Sequence, residues 1–247
     1  VIRTSVDAPP GSGLGSSSAL VVALVEALRS VLGVPLGPYE IARIAFEIER
    51  VELALAGGKQ DQYAAAFGGL NFIEFLPGGR VIVNPLRVSR TLLNELETSL
   101  VICFSGISRR SEDIIAQQMK GMTMDSSTAL NSLHQLKVDS IDMKQALLLA
   151  NIPEMASILN KSWIAKKETA SGVSTKRIDE LSAIAFEHGA LGCKISGAGG
   201  GGFIMFIVPP EQRVSIVRAL NSSGGLASGV QFTSFGVESW TIPSKNL

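Results

Sequence analysis

A glycine- and serine-rich loop near the start of the chain, Ala8-Pro9-Pro10-Gly11-Ser12-Gly13-Leu14-Gly15-Ser16-Ser17-Ser18-Ala19, has the composition of a phosphate cradle. Gly11, Gly13 and Gly15 let the backbone approach an anion at positive φ. The apolar helical run behind them would turn unpaired N–H groups and the positive end of its dipole toward the same anion. The serines add hydroxyl donors and an available magnesium ligand. A Walker A loop is excluded, because Ser16 follows Gly15 and the loop holds no lysine. The dinucleotide fingerprint G-x-G-x-x-G is not met either: Ser16 or Ser18 stands where its third glycine belongs. A flexible connector is the competing reading of such a composition, and the immediate helix start argues against it.

A second cluster, residues 197–202, holds five glycines in six positions. A tight strand connection needs fewer, so the cluster reads as backbone that packs closely beside the phosphate loop. The elements that must position both loops alternate between helix and strand. Ser16 or Ser17 can cap a helix to about Leu32, with Leu20, Ala23, Leu24, Ala27, Leu28 and Val31 as its apolar stripe and Gly33 and Pro35 as its stop. Pro38 suits the first turn of a second helix carrying Ile41, Ile44, Ala45, Ile48 and Glu49. Residues 70–75 and 80–83, joined by Pro77-Gly78-Gly79, read as a hairpin, and residues 99–104 as a strand. Residues 111–169 read as helical, with a break near 120–125 and a turn at Asn151-Ile152-Pro153. Residues 175–188 make one more helix. The remainder reads strand, glycine loop, strand (203–208), helix (211–220), strand (230–237).

Length and composition bound the function. The 247 residues, 46% of them hydrophobic, can fill one large core or two modest ones. Lys+Arg and Asp+Glu are 22 each, so no general nucleic-acid surface is expected. Cys103 and Cys193 lack metal-ligand spacing and read as buried free thiols. Apolar stretches are interrupted well before the roughly 20 residues a membrane helix needs, and no signal peptide is evident. The expectation is a soluble cytoplasmic enzyme with a small-molecule substrate. His134 and His188 are given no chemistry.

The run from Pro9 to Ala19 resembles the nucleotide-phosphate loop of the GHMP kinases, the family of galactokinase, homoserine kinase, mevalonate kinase and phosphomevalonate kinase. Lys194-Ile195-Ser196-Gly197-Ala198-Gly199-Gly200-Gly201-Gly202-Phe203 is similar to that family's C-terminal glycine motif, and the two motifs lie in the family's order. The resemblance implies an α+β, two-domain fold. Residues 1–95 would form an N-terminal domain like domain 2 of ribosomal protein S5, and residues 96–247 a ferredoxin-like C-terminal domain. The active site would lie between them and the boundary within 90–99. Residues 1–6 read as the end of a strand in a chain without an initiating Met, so a family section bearing a basic residue is expected upstream. A chain lacking it could instead be a catalytically incomplete nucleotide- or sugar-binding module.

The same resemblance implies the roles. ATP and Mg2+ are the expected cofactors. Pro10, Gly11, Ser12, Gly13, Leu14, Gly15, Ser16, Ser17 and Ser18, with Gly197, Ala198, Gly199 and Gly200, would hold the nucleotide. Ser17 and Glu49 would bind the metal, Glu49-Arg50-Val51 being similar to the metal-binding helix segment of mevalonate kinase; Glu47 and Glu52 are the rival acids. Asp61 resembles the catalytic aspartate of the galactokinase branch and would orient or deprotonate the acceptor hydroxyl, its rival role being a helix N-cap. The segment from Gly58 to Phe75, Phe104 to Ser111, and Ser162-Trp163 with Lys166-Lys167 resemble the D-glycero-D-manno-heptose 7-phosphate kinase branch. That branch acts on an anomeric hydroxyl in nucleotide-activated heptose synthesis; a fucokinase-like or galactokinase-like enzyme is the alternative. Lys59, Gln60, Arg109 and Arg110 are the expected substrate residues, with Lys166 and Lys167 as further cations for the substrate's phosphate. Trp163 reads as packing.

Overall fold

Helix α1 (Ser16–Leu32) begins where the glycine loop ends. Its N-cap is Gly15 in the left-handed region (φ 71°), with no side-chain cap, so neither Ser16 nor Ser17 plays that part. The computed structural model describes residues 1–9, 11–108, 111–123 and 127–242. These fall into two units: Val1–Asp7, Gly15–Pro85 and the chain from Thr233 onward form one, and Ala8–Leu14 with Leu86–Phe232 the other.

In the first unit α1 is followed by α2 (Pro38–Glu47), whose Pro38 opens the helix and whose Glu40 accepts from the Gly37 N–H. The helix runs on into a π-helical turn, Ile48–Glu52. Helix α3 (Gln60–Phe67) and the antiparallel hairpin of β1 (Asn71–Phe75) and β2 (Val81–Pro85) complete the unit. Val22, Val25, Ile41, Ala42, Ala45, Tyr63, Ala66 and Val83 form its core. The α1 stripe differs from the expected one: Ser18, Val22, Val25 and Glu26 face inward, while Leu28 and Val31 are 51% and 83% exposed. A helix apolar on nearly every side offers no contrast by which to choose a face. Polar partners meet the inward side chains here, buried Gln62 for Ser18 and half-buried Arg29 and Ser239 for Glu26.

The second unit starts with α4 (Arg90–Ser99), capped by Ser89 and formed by the residues expected at the domain boundary. It leads into β3 (Leu100–Phe104). Helices α5 (Ser111–Thr123), α6 (Ser127–Leu148), α7 (Ile152–Lys167) and α8 (Lys176–Glu187) precede β4 (Gly192–Ile195) and β5 (Phe203–Ile207), which flank the second glycine loop. Helix α9 (Arg213–Ser222) and β6 (Leu226–Gly229) follow. The sheet order is β4-β5-β3-β6, antiparallel throughout, which is the ferredoxin-like arrangement the resemblance implied. Val101, Cys103, Cys193, Ile195, Ile204 and Phe206 turn one face of it onto Ile178, Leu181, Ile216 and Leu220, all at most 1% exposed. Each such apolar side chain stabilises the fold by about 1.5–3 kcal/mol. Trp163 is packed in this core, and both cysteines are free and buried.

Two expected strands do not form. Residues 230–237 pair with no strand, because β6 already occupies the edge beside β3 four residues earlier. Their backbone is satisfied differently: the Phe232 N–H donates to Glu97 Oε1 at 2.8 Å, and Thr233 O accepts from the Gly69 N–H at 3.1 Å. Residues 1–6 are likewise outside any ladder, a strand being defined by a partner that no described segment supplies. Among the described residues no helix is long and apolar enough to cross a membrane.

Candidate active site

The start of α1 leaves backbone donors open. Ala19 N–H bonds back to Gly15 O at 2.9 Å; with no cap side chain and no acid in the first turn, the N–H groups of Ser16, Ser17 and Ser18 have no intrahelical acceptor, the kind of helix end that suits an anion. Gly15 is required here twice over. Its φ of 71° strains any other residue, and a Cβ at this position would stand 3.0 Å from the Asp61 carboxyl carbon.

Asp61 thus lies against the turn that opens α1. It is in the first turn of α3 but makes no capping bond, the N-cap being Lys59, so the N-cap reading of Asp61 fails. Its side chain is open to solvent, yet enough protein surrounds the carboxyl that burial is the main influence raising its pKa. The nearby Arg50 opposes that rise and Glu49 adds to it. A carboxylate less acidic than usual is a better proton acceptor for a sugar hydroxyl.

Glu49 comes from the π-helical turn, and it is 1% exposed while Glu47 and Glu52 lie at the surface, Glu47 paired with Arg43 at 2.6 Å. The extra residue in such a turn rotates the following side chains out of α-helical phase. Ser17 Oγ donates to Glu49 Oε1 at 3.1 Å. Gln62 Nε2 donates to Glu49 Oε2 at 2.5 Å and to Ser18 Oγ at 3.1 Å. A flipped Gln62 amide would set oxygen against carboxylate, so Glu49 fixes its orientation. Among the described residues no three His, Cys, Asp or Glu side chains converge. The hard oxygens of Ser17 and Glu49 instead suit Mg2+, which keeps waters and phosphate oxygens as its other ligands. Gln62 was not foreseen as a site residue. The available signal was a long polar side chain in line with Tyr63 and Ala66 on the buried side of α3.

The second unit holds the other half of the loop against the second glycine cluster. The Phe203 N–H donates to Ser12 O at 3.0 Å, and Ser196 Oγ donates to Gly13 O at 2.9 Å. A Cβ on Gly202 would stand 2.3 Å from Ser12 O, and one on Gly197 2.8 Å from Gly13 O. The close backbone packing expected of this cluster is therefore present. Ser12 is fully buried and its hydroxyl has no partner among the described residues, while Gly11 and Leu14 are exposed. Ala198 packs on the core; Gly199 and Gly200 lie against Val173. Of the expected substrate residues, Lys59 Nζ sits 4.8 Å over the Phe46 ring and Gln60 is exposed. Pro10, Arg109 and Arg110 lie outside the described residues.

The family model described as the GHMP kinases N terminal domain matches residues 1–69, and that described as GHMP kinases C terminal matches residues 143–225. A D-glycero-alpha-D-manno-heptose 7-phosphate kinase of Campylobacter jejuni is 44% identical over 241 residues, covering 98% of this chain and 70% of that enzyme. The crystal structure of a D-glycero-D-manno-heptose 1-phosphate kinase from Bacteroides thetaiotaomicron superposes with a TM-score of 0.79 at 42% identity, over 96% of this chain and 66% of that one. The bifunctional fucokinase/GDP-fucose pyrophosphorylase of Arabidopsis thaliana is 28% identical, over 88% of this chain and 21% of its own length. With both family models matched in order, and near-complete coverage at 44% identity to a member enzyme, the chain belongs to the GHMP kinases.

Proposed function

We propose that this chain carries out ATP- and Mg2+-dependent transfer of a phosphoryl group to the anomeric C1 hydroxyl of D-glycero-D-manno-heptose 7-phosphate, a step toward nucleotide-activated heptose. Family membership implies ATP as donor. The heptose rests on the 44% identity to a heptose 7-phosphate kinase along nearly the whole chain, against 28% for the fucokinase. The observation that carries the reaction type is the Asp61 carboxyl lying against Gly15, at the open N–H end of α1.

The residues present fit the cofactors. Open N–H groups of Ser16–Ser18 would hold phosphate oxygens, and Ser17 with Glu49 would hold Mg2+. Bound ATP supplies the phosphoryl group, and the metal neutralises its charge. Asp61 orients the C1 hydroxyl and takes its proton as the new P–O bond forms and the bond to ADP breaks. Gln62 holds the Glu49 carboxylate in place. Residues 197–202 brace the backbone of Ser12 and Gly13.

An ADP-release assay with ATP and Mg2+, run with the heptose 7-phosphate, L-fucose, galactose and mevalonate, tests this reading. Turnover confined to the heptose phosphate is expected. Turnover with fucose or galactose alone would reassign the substrate, and ATP binding without any turnover would leave a binding module.

A further inference from the structure

The proposed reaction leaves two lysines unused. Lys166, in the last turn of α7, donates through Nζ to the carbonyl of Gly197. Lys194, on β4, donates to Ser162 Oγ at 2.5 Å. Both side chains are half-buried, and Lys194 is close enough to depress the Lys166 pKa further. The surrounding charges are unevenly shared. Asp139, reaching in from α6, offsets Lys194, but it already accepts from Gln135 at 2.7 Å and pairs with Lys161 at 3.4 Å. Lys167 sits 5.5 Å over the Trp163 ring. Among the described side chains, no carboxylate pairs with Lys166.

An ammonium carries three donors, and a single carbonyl uses one. A half-buried cation near a second cation and without a paired carboxylate is costly on its own, and the cost is relieved when an oxyanion arrives. The location favours a phosphate. Gly197 belongs to the loop whose Ser196 hydroxyl is bonded to Gly13 of the phosphate loop, so the Lys166 ammonium is anchored to the loop that braces the phosphate loop.

We infer that Lys166, backed by Lys194, is the cation that receives a phosphate group of the bound ligands, an inference that rests on the kinase reading above. The shared chemistry is a phosphate oxyanion, and its source is either the nucleotide or the phosphate already on the sugar. The depressed Lys166 pKa, about 8, adds a signature: phosphate favours the protonated amine, so binding at pH 8 takes up a proton.

Isothermal titration of the whole chain with AMP-PNP–Mg2+ and with D-glycero-D-manno-heptose 7-phosphate, in buffers of different ionisation enthalpy, tests this. Lys166→Met is expected to weaken one probe at least tenfold and to abolish proton uptake at pH 8. Weakening of the heptose phosphate alone assigns the sugar's phosphate, and weakening of AMP-PNP alone assigns the nucleotide's. Lys166→Arg keeps the charge, so it should stay within about threefold of the parent affinity while losing proton uptake. Unchanged affinity for both probes in Lys166→Met, with an unaltered unfolding temperature, overturns the inference and leaves the kinase reading standing. Failure of the unsubstituted chain to bind the heptose phosphate rejects that substrate, while the AMP-PNP arm still judges Lys166. Failure with both probes overturns both readings.

Discussion

Ser17 Oγ donates to Glu49 Oε1 at 3.1 Å, joining the first turn of α1 to a π-helical turn 32 positions later. Two hard oxygens are thereby brought together at the open N-terminal end of α1, whose dipole favours anions, so a cation there would depend on the Glu49 carboxylate. The carboxylate's other oxygen is held by Gln62, so this small geometry depends on three separate segments of sequence.

Removing that support should weaken the proposed Mg2+ site without removing a proposed ligand. Gln62→Leu is expected to weaken metal affinity by about 10–100-fold, as loss of a hydrogen bond to a ligating carboxylate does elsewhere. Electron paramagnetic resonance of Mn2+ bound with AMP-PNP reads this independently of turnover. Unchanged Mn2+ affinity would leave Gln62 a packing residue.

Asp61→Asn keeps size and removes the proposed proton acceptor. Turnover should fall by about 10²–10⁴-fold while ATP affinity holds. Steady-state assay and nucleotide titration separate the two quantities, and loss of ATP binding would instead make Asp61 structural.

Gly202→Ala would drive a Cβ to 2.3 Å from the Ser12 carbonyl at a φ of +88°, where neither backbone can move freely. A loss of about 1–3 kcal/mol in stability is expected, together with a raised KM for ATP. Gly58→Ala, with nothing within 4 Å, is the control that should leave the unfolding temperature in place.

The fold was readable wherever local chemistry was decisive. Pro38 at a helix start, Pro77-Gly78-Gly79 in a hairpin and five glycines in 197–202 each restrict the backbone almost alone, and each appears where the sequence suggests. What stayed hidden depends on partners. Ser18 and Glu26 turn inward because Gln62, Arg29 and Ser239 meet them, and no periodicity in α1 announces that. Residues 230–237 have strand composition, but β6 holds the place beside β3. In the site, Glu49 was distinguishable from Glu47 and Glu52 only through resemblance; burial now separates them. The Lys166–Lys194 pair joins a helix end to a strand, a juxtaposition no local pattern contains.

The bond from Ser196 to Gly13 spans 183 positions, and Phe203 reaches back to Ser12 across a similar stretch. The glycine loop at residues 11–15 is translated long before its backbone partners, which are made only after β4. Closing so long a segment costs entropy that grows only logarithmically with length, but pairings this distant are slow to find. Nucleotide competence should therefore arrive late in folding, and a chain halted before Gly202 would own the loop's residues without the loop's shape.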